Sequence, residues 1–242
     1  MPGHHARSPS VQGEAQRPTH TEGAAEPSPA RVEAFSDGVF AFGVTLLILG
    51  IAIPHPTDHD AGVGLLTLLT QQWRSYLVYA ISFMFVGNNW INHRTLFSKF
   101  ARTDHTLVWL NLIFLMVAGA FIPLPTAILG EWLGSPGNEV VAAVFYGATA
   151  TFGGLLFNML WWYGAYVARL TSPEMSERER HAHTLAWAPA PLVVGAFTAV
   201  AFVNPSLAVA GYLAIVGIYL LPTPALIALL KRRLSQPSGH RG

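Results

Sequence analysis

Apolar residues run along this chain in blocks of membrane length, and short polar segments separate the blocks. A helix needs about 20 mostly apolar residues to cross a bilayer. Four blocks of that length cover residues 31–53, 75–93, 106–130 and 140–168. A further uncharged stretch, 184–230, is too long for one span, and the turn signal of Asn204 followed by Pro205 divides it in two. The pattern therefore predicts an all-α, polytopic membrane protein with six transmembrane helices.

The two ends of the chain differ from these blocks. Residues 1–30 are rich in Pro, Ser, Gly, Glu and His, cannot bury a core, and are predicted to form a disordered tail. Residues 234–242 are a second predicted tail, which leaves 31–233 as the six-helix membrane domain. The whole chain is 52% hydrophobic and 11% charged, and it has no cysteine. This composition excludes disulfides, thiol nucleophiles and thiolate metal sites.

Basic residues concentrate on one side of the predicted helices. The segments after the second, fourth and sixth helices carry Arg94, Lys99, Arg102, Arg169, Arg178, Arg180, Lys231, Arg232 and Arg233. The segments on the opposite side carry Asp58, Asp60, Glu131 and Glu139, with Arg74 as the basic residue found there. Because positive loops stay in the cytoplasm, both termini are predicted to be cytoplasmic.

The first predicted helix carries a carboxylate, Asp37, inside a membrane-length apolar run. Such a group costs about 2.5–3.5 kcal/mol on insertion scales, so it indicates a role in function or assembly. Large apolar residues fall close to one line of the same helix, namely Phe42, Leu46, Leu49 and Ile53. Ser36 and Asp37 lie about 120–140° from that line. The apolar stripe and the carboxylate therefore face different neighbours.

Two interpretations of this stripe are open. It could pack against another helix of its own subunit, as apolar stripes usually do. It could instead line an axis shared by several subunits, where rings of large apolar side chains close a channel by dewetting. In that arrangement Thr45, about 60° from the line, is a candidate contact for a dehydrating ion. The alternative for Thr45 is a hydroxyl bonded back to the Ala41 carbonyl.

The carboxylate needs partners, because buried charges are paired or hydrogen-bonded. Polar residues of the second and third helices lie at the same depth and include Asn92, His93, His105 and Asn111. We expect Ser36 and Asp37 to bond to this group, with Arg31 closing the cluster at the surface. The alternative is that Asp37 faces a water-filled vestibule without a partner.

These residues also form a recognisable signature. Arg31, three further residues, then Phe35-Ser36-Asp37-Gly38, followed by the run 45–49, resembles the transmembrane protein 175 family of endolysosomal potassium channels and their prokaryotic relatives. Residues 85–94 and 121–129 also look like that family. The resemblance implies six helices per chain, a homotetramer in the lipid bilayer, and a pore lined by the first helix of each subunit.

The resemblance also implies roles for particular residues. The constriction would come from Phe42, Leu46 and Leu49, although the family usually has Ile or Leu where this chain has Phe42. Thr45 matches a threonine linked to potassium preference. The packing motif would comprise Arg31, Phe35, Ser36 and Asp37.

The predicted function is a passive, potassium-preferring cation channel in a prokaryotic plasma membrane. It needs monovalent cations and no cofactor, metal or nucleic acid. No Thr-Val-Gly-Tyr-Gly filter is present in the sequence, so selection by a ring of backbone carbonyls is disfavoured. The alternative is a secondary cation transporter or proton-coupled exchanger built on the proline-broken helices. An enzyme is disfavoured, because the sequence shows no catalytic triad, cysteine nucleophile or metal-binding His-Glu-x-x-His.

Overall fold

Regular structure is helical, apart from one isolated bridge, in the computed structural model, which describes residues 27–55 and 64–219. The α-helices in this part of the chain are α1 (Pro29–Leu46), α2 (Leu65–Gln71), α3 (Trp73–Phe97), α4 (His105–Phe114), α5 (Pro123–Trp132), α6 (Asn138–Trp162), α7 (Glu177–Trp187), α8 (Pro189–Val200) and α9 (Pro205–Tyr219). A 3₁₀ turn, Leu47–Gly50, extends α1. A π-helical segment, Leu115–Phe121, joins α4 to α5, and a second, Tyr163–Val167, ends α6. The predicted all-α class is confirmed for these residues.

Four helical stretches are long and apolar enough to cross a membrane. They are Pro29–Gly50, His105–Trp132, Asn138–Val167 and Glu177–Val200. They match the predicted first, third, fourth and fifth spans. The second predicted span lies in α3, which is 25 residues long but rich in polar side chains. The sixth begins as α9, and its predicted end lies outside the described residues, as do 1–26 and the 234–242 tail.

The fifth span begins earlier than the sequence pattern predicts. We expected its start at Thr184, but the helix already begins at Glu177. Ser176 caps it, because its hydroxyl accepts a hydrogen bond from the Glu179 amide at 3.2 Å. Serine followed three residues later by glutamate is a capping-box pattern, and glutamates in a first turn favour the helix dipole. The predicted start followed the apolar run alone, which does not include this polar first turn.

Prolines interrupt two of the spans, as the sequence indicates. Pro189 begins α8 directly after α7, and Pro191 cannot donate a hydrogen bond to the Trp187 carbonyl four residues before it. The Asn158 side chain on α6 supplies the missing donor, 3.3 Å from that carbonyl oxygen. The break therefore leaves the carbonyl satisfied inside the helix bundle. Pro222 and Pro224 lie outside the described residues.

The segments that follow α3 and α6 are joined through their backbones. Phe100 and Thr171 form an antiparallel bridge, and the Ala101 amide donates to the Leu170 carbonyl at 2.9 Å. The Phe100 ring lies over Gly164, where any β-carbon would overlap it. These contacts therefore hold the end of α3 close to the end of α6.

Candidate functional site: the first helix and its polar anchor

Helix α1 and its 3₁₀ extension have two different apolar faces. The buried face consists of Val32, Ser36, Phe40, Gly43 and Leu47. The opposite residues are exposed by 56% at Phe35, 64% at Phe42, 43% at Leu46, 76% at Leu49 and 77% at Ile53. The predicted stripe therefore does not pack inside its own subunit. It is available to another copy, to an axis, or to lipid.

Ser36 lies at the centre of a directed chain of hydrogen bonds. Its hydroxyl donates to the Val32 carbonyl at 2.8 Å. The Asn111 amide donates to the Ser36 oxygen at 3.0 Å, and the Asn111 oxygen lies 2.7 Å from Nε2 of His93. Since the amide NH₂ is already a donor to Ser36, His93 must donate from Nε2 to the Asn111 oxygen. This chain joins α1 to α4 and α3.

His93 is enclosed by aromatic rings. The Phe97 ring stacks on it with a centroid distance of 4.5 Å, the Phe114 ring lies nearly parallel at 5.7 Å, and the Phe40 ring meets it edge-on at 5.5 Å. The other nitrogen, Nδ1, is buried and has no hydrogen-bond partner among the described residues. The imidazole is thus a fixed packing group rather than a solvent-exposed base.

Asp37 has a partner on α3. The Trp90 indole donates to its carboxylate at 2.7 Å. One turn further along α3, Arg94 pairs with Glu33 of α1 at 3.7 Å and lies over the Trp90 ring, 5.9 Å from its centroid. The carboxylate is therefore bonded to a neighbouring helix and does not stand unpaired in a vestibule. Asp37 and Glu33 both attach α1 to the C-terminal half of α3.

Three residues expected in this cluster lie elsewhere. Arg31 is exposed, lies about 120° around α1 from Asp37, and forms no ion pair with it in the described structure. His105 bonds to Trp109 on its own helix at 3.0 Å, since it too lies six residues from the cluster member Asn111. Asn92, next to His93, is turned about 100° from it and lines a cavity of about 90 Å³ shared by α6 and α8. The polar cluster therefore contains fewer residues than the sequence predicted.

The Thr45 hydroxyl is bonded to its own helix, though not to the expected carbonyl. It donates to the Phe42 carbonyl at 2.8 Å instead of to that of Ala41. The residue is exposed on α1. Because the hydroxyl proton is used, the oxygen lone pairs remain available to a donor or a cation.

A close helix contact sets the position of α1. Gly43 lies against Gly119 of the π-helical segment, and a β-carbon on Gly43 would overlap the Gly119 carbonyl oxygen. In an ordinary α-helix that carbonyl would accept from residue 123, but Pro123 has no amide hydrogen. The wide π turn and the glycine together bring the two backbones into contact.

The hydrogen bonds of His93 and Asn111 predict a non-additive pair of substitutions. Asn111→Leu should destabilise the protein by about 1–3 kcal/mol, because it leaves the buried Nε2 of His93 without an acceptor. His93→Phe should cost a similar amount by leaving the Asn111 oxygen without a donor. The double variant should recover part of the loss, since both polar groups are gone and phenylalanine suits the aromatic surroundings. Thermal midpoints of the purified protein test this, and strictly additive losses would contradict it.

Phe40, Phe114 and Gly43 are site residues that the sequence analysis missed. The signal was present for two of them. Ser36, Phe40, Gly43 and Leu47 follow one another at helical spacing, so they share the face that carries Ser36. Phe114 gave no such signal, because it lies in a uniformly apolar helix.

Fold and site together define a class of protein. It is a multi-pass helical membrane protein whose first helix packs against the bundle on one face and is exposed on the other. The family described as endosomal/lysosomal potassium channel TMEM175 matches residues 31–123. The chain belongs to this TMEM175 family, since it is 40% identical over 182 residues to a protein of Streptomyces collinus named a potassium channel. That match covers 75% of this chain and 86% of the relative.

A solved structure and a vertebrate relative extend the comparison. The crystal structure of a lysosomal potassium-selective channel TMEM175 homolog from Chamaesiphon minutus superposes with a TM-score of 0.70 at 34% identity, covering 81% of this chain and 97% of that one. A Gallus gallus protein named an endosomal/lysosomal proton channel TMEM175 is 33% identical over 140 residues, which is 56% of this chain and 28% of that protein. The predicted family is confirmed.

Proposed function

We propose that this protein is a potassium-preferring cation channel in which four copies of α1 surround a central pore. One observation carries the proposal: the stripe of α1 is exposed in the single chain while the opposite face is fully packed. The relatives from Streptomyces and Chamaesiphon are named as potassium channels, which supports the choice of ion. A channel of this kind is not an enzyme, and it needs only the permeant cation.

The proposed constriction consists of Phe42, Leu46 and Leu49. Rings of large apolar side chains restrict conduction by dewetting, so selectivity depends on how readily an ion sheds water. Thr45, between the first two rings, offers its hydroxyl oxygen to a partly dehydrated cation. Potassium holds its water less tightly than sodium, and a modest preference for potassium follows.

The proposed topology has six spans per subunit and both termini in the cytoplasm. The spans are α1, α3, α4 with α5, α6, α7 with α8, and α9 with the residues after it. The polar face of α3 is acceptable in a bilayer because it meets other helices of the bundle. The distribution of Arg and Lys supports the orientation, and a prokaryotic plasma membrane is the proposed location.

Current across a liposome membrane tests the proposal. Purified protein should pass potassium under voltage clamp without any other ion gradient, and the reversal potential in mixed solutions should favour potassium over sodium. The reversal potential should also be measured under a proton gradient, because vertebrate relatives are named as proton channels. Strictly coupled exchange without current would instead support the transporter.

The alternative, a secondary cation transporter or proton-coupled exchanger, has one structural argument in its favour. Two spans are broken at prolines, as in many transporters. However, the breaks do not converge: Pro123 lines a cavity beside α1, whereas Pro191 lines the small cavity beside Asn92 and Asn158. A coupled site needs the two breaks to face one cavity, so the channel is favoured.

Substitutions of Asp37 separate a packing role from a permeation role. Asp37→Ala removes the acceptor of the Trp90 indole and should lower the stability of the oligomer by about 1.5–3 kcal/mol, the value of a bond to a charged group. Asp37→Asn keeps an oxygen acceptor and should preserve more of the oligomer. Size-exclusion profiles and reversal potentials check both. A normal oligomer with altered ion selectivity would place Asp37 in the permeation path.

A further inference from the structure

A large cavity lies beside the outer end of α1, and one residue of the exposed stripe, Leu46, is among its lining residues. Its volume is about 630 Å³, and it is lined by the outer end of α1, the start of α3 and helix α5. This volume falls within the usual range of about 300–1,000 Å³ for small-molecule sites. Leu46, Leu47, Gly50 and Ile51 form its α1 wall.

One wall of the cavity is a polar ladder on α3. The ladder consists of Gln72, Ser75, Tyr79 and Ser82. These residues recur at helical spacing, so they share one face over about 15 Å of the helix. Ser82 is buried, and the Gln72 side-chain oxygen is buried without a hydrogen-bond partner in the described part of the chain. A buried acceptor beside a cavity favours an occupant that donates hydrogen bonds.

The charge on the described lining of the cavity is negative. Glu131, at the end of α5, is the charged side chain among the described residues that line it. The C-terminal 3₁₀ turn of α1 also ends at this cavity, and the carbonyl end of a helix carries a partial negative charge. Both features favour a cation over an anion.

The remaining wall is apolar and includes aromatic rings. Leu124, Ala127, Ile128 and Trp132 of α5 line it, and Tyr79 lies among the lining residues of α3. A hydrated inorganic ion would leave this half of the cavity unmatched. An organic cation satisfies both halves, because its alkyl groups contact the apolar wall and its charge meets Glu131 and an aromatic face.

We propose that this cavity binds an organic ammonium group at a site beside the proposed pore. The group is either a small free amine or the headgroup of a lipid such as phosphatidylethanolamine from the leaflet that the proposed topology places outside. Its ammonium lies near Glu131 and the polar ladder, and its carbon chain lies along α5. Bound there, it contacts α1 at Leu47 and at the proposed constriction residue Leu46, which both line the cavity.

Calorimetric titration of the full-length protein in maltoside detergent with hexylammonium tests the site at constant sodium concentration. We expect saturable binding that is at least tenfold weaker for the uncharged 1-hexanol and at least tenfold weaker in Glu131→Gln. Glu139→Gln is the matched control: it removes a carboxylate from the same end of the molecule, outside the cavity, and should change the dissociation constant less than twofold. All variants must first show the wild-type size-exclusion profile.

Three results would overturn the proposal: no saturable binding, equal binding of 1-hexanol, or equal losses in the two glutamate variants. The assay does not depend on ion conduction, so it can fail or succeed independently of the channel function. Repeating it in phosphatidylglycerol liposomes, with and without phosphatidylethanolamine, identifies the source of the ammonium. Weaker hexylammonium binding in the presence of phosphatidylethanolamine indicates the lipid headgroup, and unchanged binding indicates a free amine.

Discussion

Leu46→Asn should raise the single-channel conductance about tenfold, which corresponds to a conduction barrier lower by about 1.4 kcal/mol. The preference for potassium over sodium should fall at the same time. Leu46 is 43% exposed on the free face of α1, so in the proposed tetramer four copies surround the axis. Four amides in place of four isobutyl groups keep the constriction hydrated, and a hydrated ion then passes without shedding water.

Ile48→Asn is the matched control for this substitution. Ile48 is 51% exposed on the same helix, but two residues of helix turn it well away from Leu46. The same change of side chain at Ile48 places no amide in the proposed pore. The conductance and reversal potential of this variant should therefore match those of the wild type. Unchanged current and selectivity in Leu46→Asn, or equal effects in the two variants, would show that the stripe does not line the central axis.

The sequence was sufficient for most of the fold because membrane spans are set by length and hydrophobicity alone. The apolar blocks located α1, α6 and the α4–α5 span to within a few residues. The start of α7 was wrong because a capping box, Ser176 to Glu179, lies in a polar segment where a hydropathy pattern has no signal. The π-helical segment before Pro123 was also missed.

The sequence predicted that the candidate site needs polar partners on neighbouring helices, but not which residues supply them. A carboxylate and a serine in a span must find partners at the same depth, and Ser36 and Asp37 do find them on α3 and α4. Which side chains take part depends on helix rotation. A pattern of residues fixes the angles within one helix, and these angles already separate Arg31 from Asp37, His105 from Asn111 and Asn92 from His93. It does not fix how two helices face each other, so the sequence did not show which member of each group would meet the cluster.

The same dependence on rotation makes Gly43 a residue whose substitution should be strongly destabilising. Gly43→Ala places a β-carbon where the Gly119 carbonyl oxygen lies. That atom belongs to the backbone of a packed segment and cannot move as a side chain would. We expect a cost of about 1–3 kcal/mol in each subunit, the usual range for overpacking. Because α1 is the proposed pore wall in all four subunits, most of the assembled, conducting protein should be lost.

Two other glycines of the chain supply controls. Gly119→Ala alters the same contact from the opposite side, but its β-carbon would meet only side chains, Val39 at 3.4 Å and Phe40 at 3.7 Å, which is ordinary packing distance. Gly38→Ala adds a methyl group where nothing in the same subunit lies within 4 Å. Thermal midpoints and oligomer yields should therefore fall in the order Gly38→Ala, Gly119→Ala, Gly43→Ala, with the first close to wild type. If Gly43→Ala were as stable as Gly38→Ala, α1 would not be seated on the π-helical segment, and the direction in which its free face points would have to be assigned again.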